Sequence, residues 1–111
     1  MAAFGEGMTL AEAAGLKGDD LIEVLSLGAM NNPMFNLKGP KMKQGVRDYA
    51  PHFPLEHAQK DMRFAGMLAE ELQISMPVAA AANETFKAAK AEGRGREDFS
   101  AVIEAIRRTK E

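Results

Sequence analysis

The sequence contains no cysteine and no tryptophan, and histidine occurs only twice, at His52 and His57. Without cysteine, disulfide bonds, thiol catalysis and thiolate-bound metal sites are excluded. Neither histidine lies in an H-E-x-x-H motif or in another spacing typical of metal ligands, so we expect no metal site.

Long apolar runs and an excess of positive charge are also missing. No stretch approaches the length needed to cross a membrane, and the first residues lack the basic start and apolar run of a signal peptide. We therefore expect a soluble intracellular protein, with its compartment left open. The formal net charge of −2 gives no basic surface for nucleic acid. A composition of 46% hydrophobic and 27% charged residues is typical of one ordinary globular domain over residues 1–111.

Strand patterns are absent as well, since no period-two alternation of useful length occurs. Helix start and stop signals instead predict an all-α bundle of about five helices. Residues 2–14 predict a helix that ends at Gly15. Asp19 and Asp20 suit the start of a second helix, which ends at Gly28.

The segment after Asn32 and Pro33 is irregular or helical through Met42, and residues 43–53 read as a loop. Pro54 suits the first position of the next helix, which we expect to be the main core helix. Its apolar residues recur at spacings of three and four. They are Leu55, Ala58, Met62, Ala65, Ala69 and Leu72.

Two further helices are predicted beyond residue 73. Ser75 can cap the first of them, with Pro77 just inside it and Gly93 at its end. Asp98 can cap the last helix, whose apolar residues include Val102 and Ile103.

The stretch FPLEHAQKDMRFA, which starts at Phe53, carries polar side chains among its apolar ones. Residues four apart on a helix lie almost on one edge, which places Phe53, His57 and Asp61 in a row with Lys60 one residue away. This arrangement can face a ligand. The simpler interpretation is a weak helical pair between His57 and Asp61 with a solvated Lys60, and spacing alone favours it. Similarly, Asn83 is either a ligand contact or a hydrogen-bonded residue at the edge of the core.

Five segments, in order, carry a family resemblance that extends over nearly the whole chain. They are NNPMF, GPKM, FPLEHAQKDMRFA, MPVAAAANETFKAAKAEG and DFSAVIEAI. Together they resemble the C-terminal helical domain of the beta-hydroxyacid dehydrogenase family, and within it the plant-type, NADPH-dependent glyoxylate/succinic semialdehyde reductases. The resemblance implies the C-terminal domain of a 6-phosphogluconate-dehydrogenase-like enzyme.

The resemblance also implies roles for four residues of the stretch FPLEHAQKDMRFA. Phe53 would pack near the nicotinamide and the substrate, and His57 would line the substrate cleft. Lys60 would contact the cofactor, NADP(H) with NAD(H) as the alternative. Asp61 would support a catalytic lysine that is absent from this chain.

The family's catalytic lysine and its Rossmann domain precede the segment that matches this chain. The resemblance therefore implies that the chain supplies one wall of a cleft, acts with a Rossmann domain in cis or in trans, and is inactive alone. The implied reaction is hydride transfer to a small aldehyde or 2-oxo acid such as glyoxylate or succinic semialdehyde. The enzyme is implied to be a homo-oligomer. The alternative is a non-catalytic helical interaction or dimerisation module from a truncated gene product.

Overall fold

The computed structural model describes residues 1–108, and six α-helices make up most of this part of the chain. No strand forms within these residues, where a single isolated antiparallel bridge joins Pro54 to Asp98. The all-α prediction is confirmed, and the segment before Met42 that was left open is a helix. The helices are α1 (Ala2–Ala13), α2 (Gly18–Leu27), α3 (Pro33–Met42), α4 (Leu55–Glu71), α5 (Pro77–Ala89) and α6 (Val102–Arg108).

Local signals set most of the helix ends. Gly15 has a φ of +87°, and the amide of Leu16 donates to the carbonyl of Ala11 at 2.9 Å, which is the Schellman arrangement that ends α1. Asn32 begins α3, because its Oδ1 accepts from the amide of Phe35 at 3.0 Å. Gly15 was predicted to end this helix for the same physical reason, whereas a helix start at Asn32 was not predicted.

Two predicted helix starts are wrong in detail. Pro54 precedes α4 as its N-cap, with an extended ψ of 138°, and Leu55 is the first helical residue. Ser75 does not cap α5, since Met76 occupies the N-cap position and no side chain accepts a hydrogen bond there. Pro77 does open α5 as predicted, because its missing N–H has no partner to lose at that position.

The core is centred on α6 and the 3-10 turn over Phe99–Ala101 that leads into it. Val102 and Ile103 have no solvent exposure, and α1, α4 and α5 all pack around this end of the chain. The prediction that α4 is the main core helix is therefore wrong for its second half. Leu55 and Ala69 are buried, but Ala65 and Leu72 are exposed, since α4 packs mainly along α5 through one face.

Gly5 lies where α1 crosses α6. A Cβ at this position would lie 3.0 Å from Cδ1 of Ile106 and 3.5 Å from Cα of Ile103. The absence of a side chain thus lets the two helices approach closely. A glycine that weakens the helical signal in the sequence is explained by packing rather than by a turn.

A buried polar network joins the two ends of the chain. The guanidinium of Arg107 donates to Glu12 and to Glu104, each at 2.8 Å, and to the carbonyl of Met42 at 2.6 Å. The hydroxyl of Tyr49 donates to Glu104 at 2.6 Å. Burial, together with the Glu104 carboxylate, raises the pKa of Tyr49 above its ordinary value. This network connects α1, α3 and α6 without leaving a charge unpaired.

Candidate functional site

The four residues singled out in the stretch FPLEHAQKDMRFA lie together around the start of α4, and all are exposed to solvent. Phe53 lies just before the helix, and its ring meets the imidazole of His57 edge-on at 5.9 Å between centroids. Lys60 and Asp61 follow on the second turn of α4. The structure thus brings an aromatic face, an imidazole, an ammonium and a carboxylate onto one exposed surface.

Lys60 and Asp61 form a loose ion pair, with the ammonium 3.6 Å from Oδ1. The two side chains are 48% and 60% exposed, so the pair contributes at most about 1 kcal/mol to stability. Within residues 1–108, no hydrogen bond or ion pair links His57 to Asp61, so the simpler helical pair does not form. Both charged groups therefore remain able to turn toward another partner.

An open groove of about 490 Å³ runs beside this surface, between α4 and the end of α5. Three of its lining residues are cations, and only one is a carboxylate, although the whole chain is slightly acidic. Such a surface attracts anions at short range. The lining residues are Glu56, His57, Gln59, Lys60, Arg63 and Lys90.

Two amide side chains form a hydrogen bond beneath the groove. Gln59 is buried, and its Nε2 donates to Oδ1 of Asn83 on α5 at 3.0 Å. The ammonium of Lys90 donates to Oε1 of Gln59 at 3.5 Å. Asn83 is therefore a hydrogen-bonded residue at the edge of the core, as its simpler interpretation predicts. It joins α5 to α4 beneath the exposed surface.

A buried ion pair, not predicted from the sequence, lies behind Phe53. The ammonium of Lys38, on α3, lies 3.0 Å from each carboxylate oxygen of Asp98, and both side chains are 2% exposed. The spacing of Phe35, Lys38 and Met42 on α3 carried the signal, because residues three and seven apart share a helix face. That spacing places a lysine on the apolar side of its helix.

Asp98 also accepts hydrogen bonds from the segment that leads into α4. Its Oδ1 accepts from the amides of His52 and Phe53 at 3.0 and 3.2 Å, and its Oδ2 accepts from the amide and hydroxyl of Ser100 at 3.1 and 2.6 Å. Burial alone would raise the pKa of Asp98, but these donors and Lys38 outweigh it and lower the pKa to about 2. Asp98 is the predicted cap and, in addition, an anchor for residues 52 and 53.

Across the described residues 1–108, no cluster of three or more histidine, aspartate or glutamate side chains could hold a metal ion. None of the helices in this part has both the length and the apolar character that crossing a membrane requires.

Comparisons with known proteins agree with this architecture. Residues 1–106 match the sequence model of the family described as NAD-binding of NADP-dependent 3-hydroxyisobutyrate dehydrogenase. The chain is 56% identical over 111 residues to glyoxylate/succinic semialdehyde reductase 1 of Arabidopsis thaliana, covering 100% of this chain and 38% of the relative. It is 54% identical over 110 residues to the chloroplastic reductase 2 of the same plant, covering 99% of this chain and 30% of the relative.

A solved structure shares the fold. The crystal structure of 3-hydroxyisobutyrate dehydrogenase from Salmonella typhimurium superposes with a TM-score of 0.85 at 34% identity, covering 93% of this chain and 35% of that one. The chain thus spans between 30% and 38% of the length of these relatives. By its sequence match and its fold, the chain belongs to the NAD-binding domain family of NADP-dependent 3-hydroxyisobutyrate dehydrogenase.

Proposed function

We propose that the chain forms the helical C-terminal domain of an NADP(H)-dependent oxidoreductase that reduces a small aldehyde or 2-oxo acid, such as glyoxylate or succinic semialdehyde. The observation that carries the proposal is the shared exposed surface of Phe53, His57, Lys60 and Asp61 beside a basic groove. The chain's 56% identity to a plant reductase supports this substrate class. The description of the matching family, which names an NADP-dependent dehydrogenase, supports NADP(H) over NAD(H).

The cofactor would be held by an aromatic ring and a cation. Phe53 presents a ring that is 40% exposed and braced edge-on by His57, which suits contact with a flat nicotinamide. The Lys60 ammonium is free to turn toward a phosphate or ribose, since its pair with Asp61 is loose. When bound, the reduced nicotinamide supplies a hydride, while the protein supplies orientation.

Asp61 and His57 would act on the substrate side. A carboxylate can hold an ammonium in place and favour its charged form, which suits a lysine that donates a proton to the nascent alkoxide. In our proposal that lysine belongs to another part of the enzyme and Asp61 supports it. His57, exposed beside Phe53, would line the substrate cleft.

The proposal requires a Rossmann domain as partner, in cis or in trans. This chain would form one domain over residues 1–111 and supply one wall of the cleft. Its share of 38% of the length of the Arabidopsis reductase 1 supports this division. Because hydride transfer needs both walls to orient cofactor and substrate, we expect the isolated chain to be inactive.

A chimera tests the proposal. The chain would replace the matching segment of the Arabidopsis reductase 1, and NADPH oxidation would be followed with glyoxylate and with succinic semialdehyde. We expect turnover by the chimera and none by the isolated chain. In the chimera, Lys60→Ala should raise the KM for NADPH about tenfold, because a charge-assisted contact is lost. Asp61→Asn should lower kcat.

The matched control is the pair formed by Lys87 and Glu84 on α5. It is 51% and 69% exposed, much like the pair of Lys60 and Asp61, but it lies outside the proposed surface. Lys87→Ala and Glu84→Gln should leave both kinetic constants unchanged. A folded chimera without turnover would refute the proposed reaction. Equal effects of Lys60→Ala and Lys87→Ala would refute the assignment of Lys60.

A second function is favoured by the exposed apolar face on the second half of α4. Phe64, Met67 and Leu68 are each more than half exposed and border a surface groove of about 310 Å³. Contiguous apolar surface of this kind marks interaction sites. This face could therefore make the chain a non-catalytic module that dimerises or binds a longer relative.

Size-exclusion chromatography at micromolar concentration tests the interaction module, whereas turnover by the chimera tests the oxidoreductase. A dimer that Leu68→Lys converts to a monomer would support the interaction module. The control is Val24→Lys, on an exposed apolar residue of α2 away from this face. A monomeric wild-type chain would argue against the module and leave the oxidoreductase domain.

A further inference from the structure

A buried pair of opposite charges lies directly behind the exposed surface at the start of α4. Lys38 and Asp98 are each 2% exposed and 3.0 Å apart. A buried ion pair is a weak source of stability, because desolvation offsets much of the attraction. The hydrogen bonds and ring contacts of this pair indicate a second role, at Phe53.

Asp98 fixes the backbone on one side of Phe53. Its Oδ1 accepts at the same time from Lys38, at 3.0 Å, and from the amides of His52 and Phe53. On the other side, the carbonyl of Phe53 accepts from the amide of Phe99 at 2.9 Å. Both peptide groups that flank Phe53 are therefore held by the segment that begins the last helix.

The side chain of Phe53 is fixed through the same cluster. Its ring meets the ring of Phe99 edge-on at 6.1 Å between centroids, and the Lys38 ammonium lies 5.2 Å from the centroid of the Phe99 ring. An ammonium at this distance attracts an aromatic face. Contacts thus run from the buried ammonium through Phe99 to Phe53, and from there to His57.

We propose that Lys38 and Asp98 are positioning residues, which hold the ring of Phe53 in place for the cofactor and substrate without contacting either. The contact of Phe53 with cofactor and substrate rests on the proposed function. The positioning itself rests on the hydrogen bonds and ring contacts around Asp98. Neither charged group can reach a ligand, because both are enclosed by protein.

Nuclear magnetic resonance and amide hydrogen exchange on the complete chain test the proposal. The main variant is the double substitution Lys38→Met with Asp98→Asn, which removes both charges at similar volume and leaves no unpaired buried charge. We expect the amides of His52 and Phe53 to exchange about tenfold faster, since their charged acceptor becomes neutral. The ring resonances of Phe53 should shift. The amides of Val102 and Ile103, in the core, should keep their exchange rates.

Two controls separate positioning from general stability. Ser100→Ala removes one hydrogen bond to Asp98 but keeps its pairing with Lys38, so the Phe53 ring resonances should not move. Lys43→Met with Asp19→Asn removes an ion pair of similar length, 2.7 Å, on the exposed surface. It should alter neither the resonances of Phe53 nor the exchange of residues 52 and 53.

Two results would overturn the proposal. One is a folded double variant in which the Phe53 resonances and the exchange of residues 52 and 53 match the wild type. The other is faster exchange by the same factor throughout the core, because the pair would then serve stability alone. Neither measurement uses a cofactor. An inactive chimera would therefore refute the proposed reaction without bearing on the position of Phe53. Unchanged Phe53 resonances in the double variant would refute the positioning without bearing on the proposed reaction.

Discussion

Asp98 should make the stability of the chain depend on pH in the acidic range. Folding lowers its pKa from 3.8 to about 2. A carboxylate whose pKa is lowered by folding stabilises the native state above its unfolded pKa, and this stabilisation is lost as the pH falls through the folded pKa. The difference corresponds to about 2 kcal/mol, which should be present at pH 5 and mostly gone near pH 2.

Asp98→Asn removes this titration and, in addition, leaves the Lys38 ammonium buried without its counter-charge. Loss of one partner from a buried pair costs about 3–5 kcal/mol, so the single variant should unfold at much lower urea concentration at pH 7. With Lys38→Met added, no buried charge remains, and most of the lost stability should return. The double variant should still lack the acid dependence that Asp98 gives the wild type.

Urea unfolding followed by circular dichroism between pH 2 and pH 5 measures both effects. The free energy of unfolding of the wild type should fall by about 2 kcal/mol more than that of the double variant across this range. Other carboxylates, such as Glu104, titrate in both proteins and cancel in the comparison. Equal pH dependence in the two proteins would refute the role given to the Asp98 carboxylate.

Three further predictions concern the packing and the ends of the helices. Gly7→Ala should stabilise the chain by up to about 1 kcal/mol in thermal unfolding, since no atom lies within 4 Å of the added Cβ. Gly5→Ala should stabilise it less than Gly7→Ala or destabilise it, because the added Cβ lies 3.0 Å from Cδ1 of Ile106. Gly15→Ala should lower the stability by about 1 kcal/mol in urea titrations, because alanine is strained at a φ of +87°. Arg107→Met should cost about 3 kcal/mol at pH 7, since Glu12 loses its cation and Glu104 keeps only the longer ion pair with Arg47, at 3.6 Å. An unchanged urea midpoint would contradict that account.

The helix ends could largely be predicted from the sequence because the hydrogen bonds that set them are local. Gly15 and Asp98 each satisfy backbone groups within a few residues of themselves. Ser75 illustrates the limit of this reasoning. Its residue type favours capping, but the chain reaches α5 with Met76 at the N-cap position.

Burial was predicted less well, because it depends on which elements cover a helix. The spacing of apolar residues on α4 is that of a core helix, yet Ala65 and Leu72 face solvent in the described part of the chain. The candidate surface was found through a family resemblance and not through spacing, which favoured a pair between His57 and Asp61. Lys38 was missed because a lysine is rarely buried, and its partner lies 60 residues away.

The double use of Asp98 has a consequence for the order in which the molecule assembles. One carboxylate begins the last helix and also anchors a segment that lies 46 residues earlier in the chain. During synthesis from the amino terminus, the segment around Phe53 leaves the ribosome before its anchor exists. Helices α1 to α3 can start to form early, whereas Phe53, in the surface proposed for cofactor and substrate, gains its backbone anchor only when the segment around Asp98 packs against it.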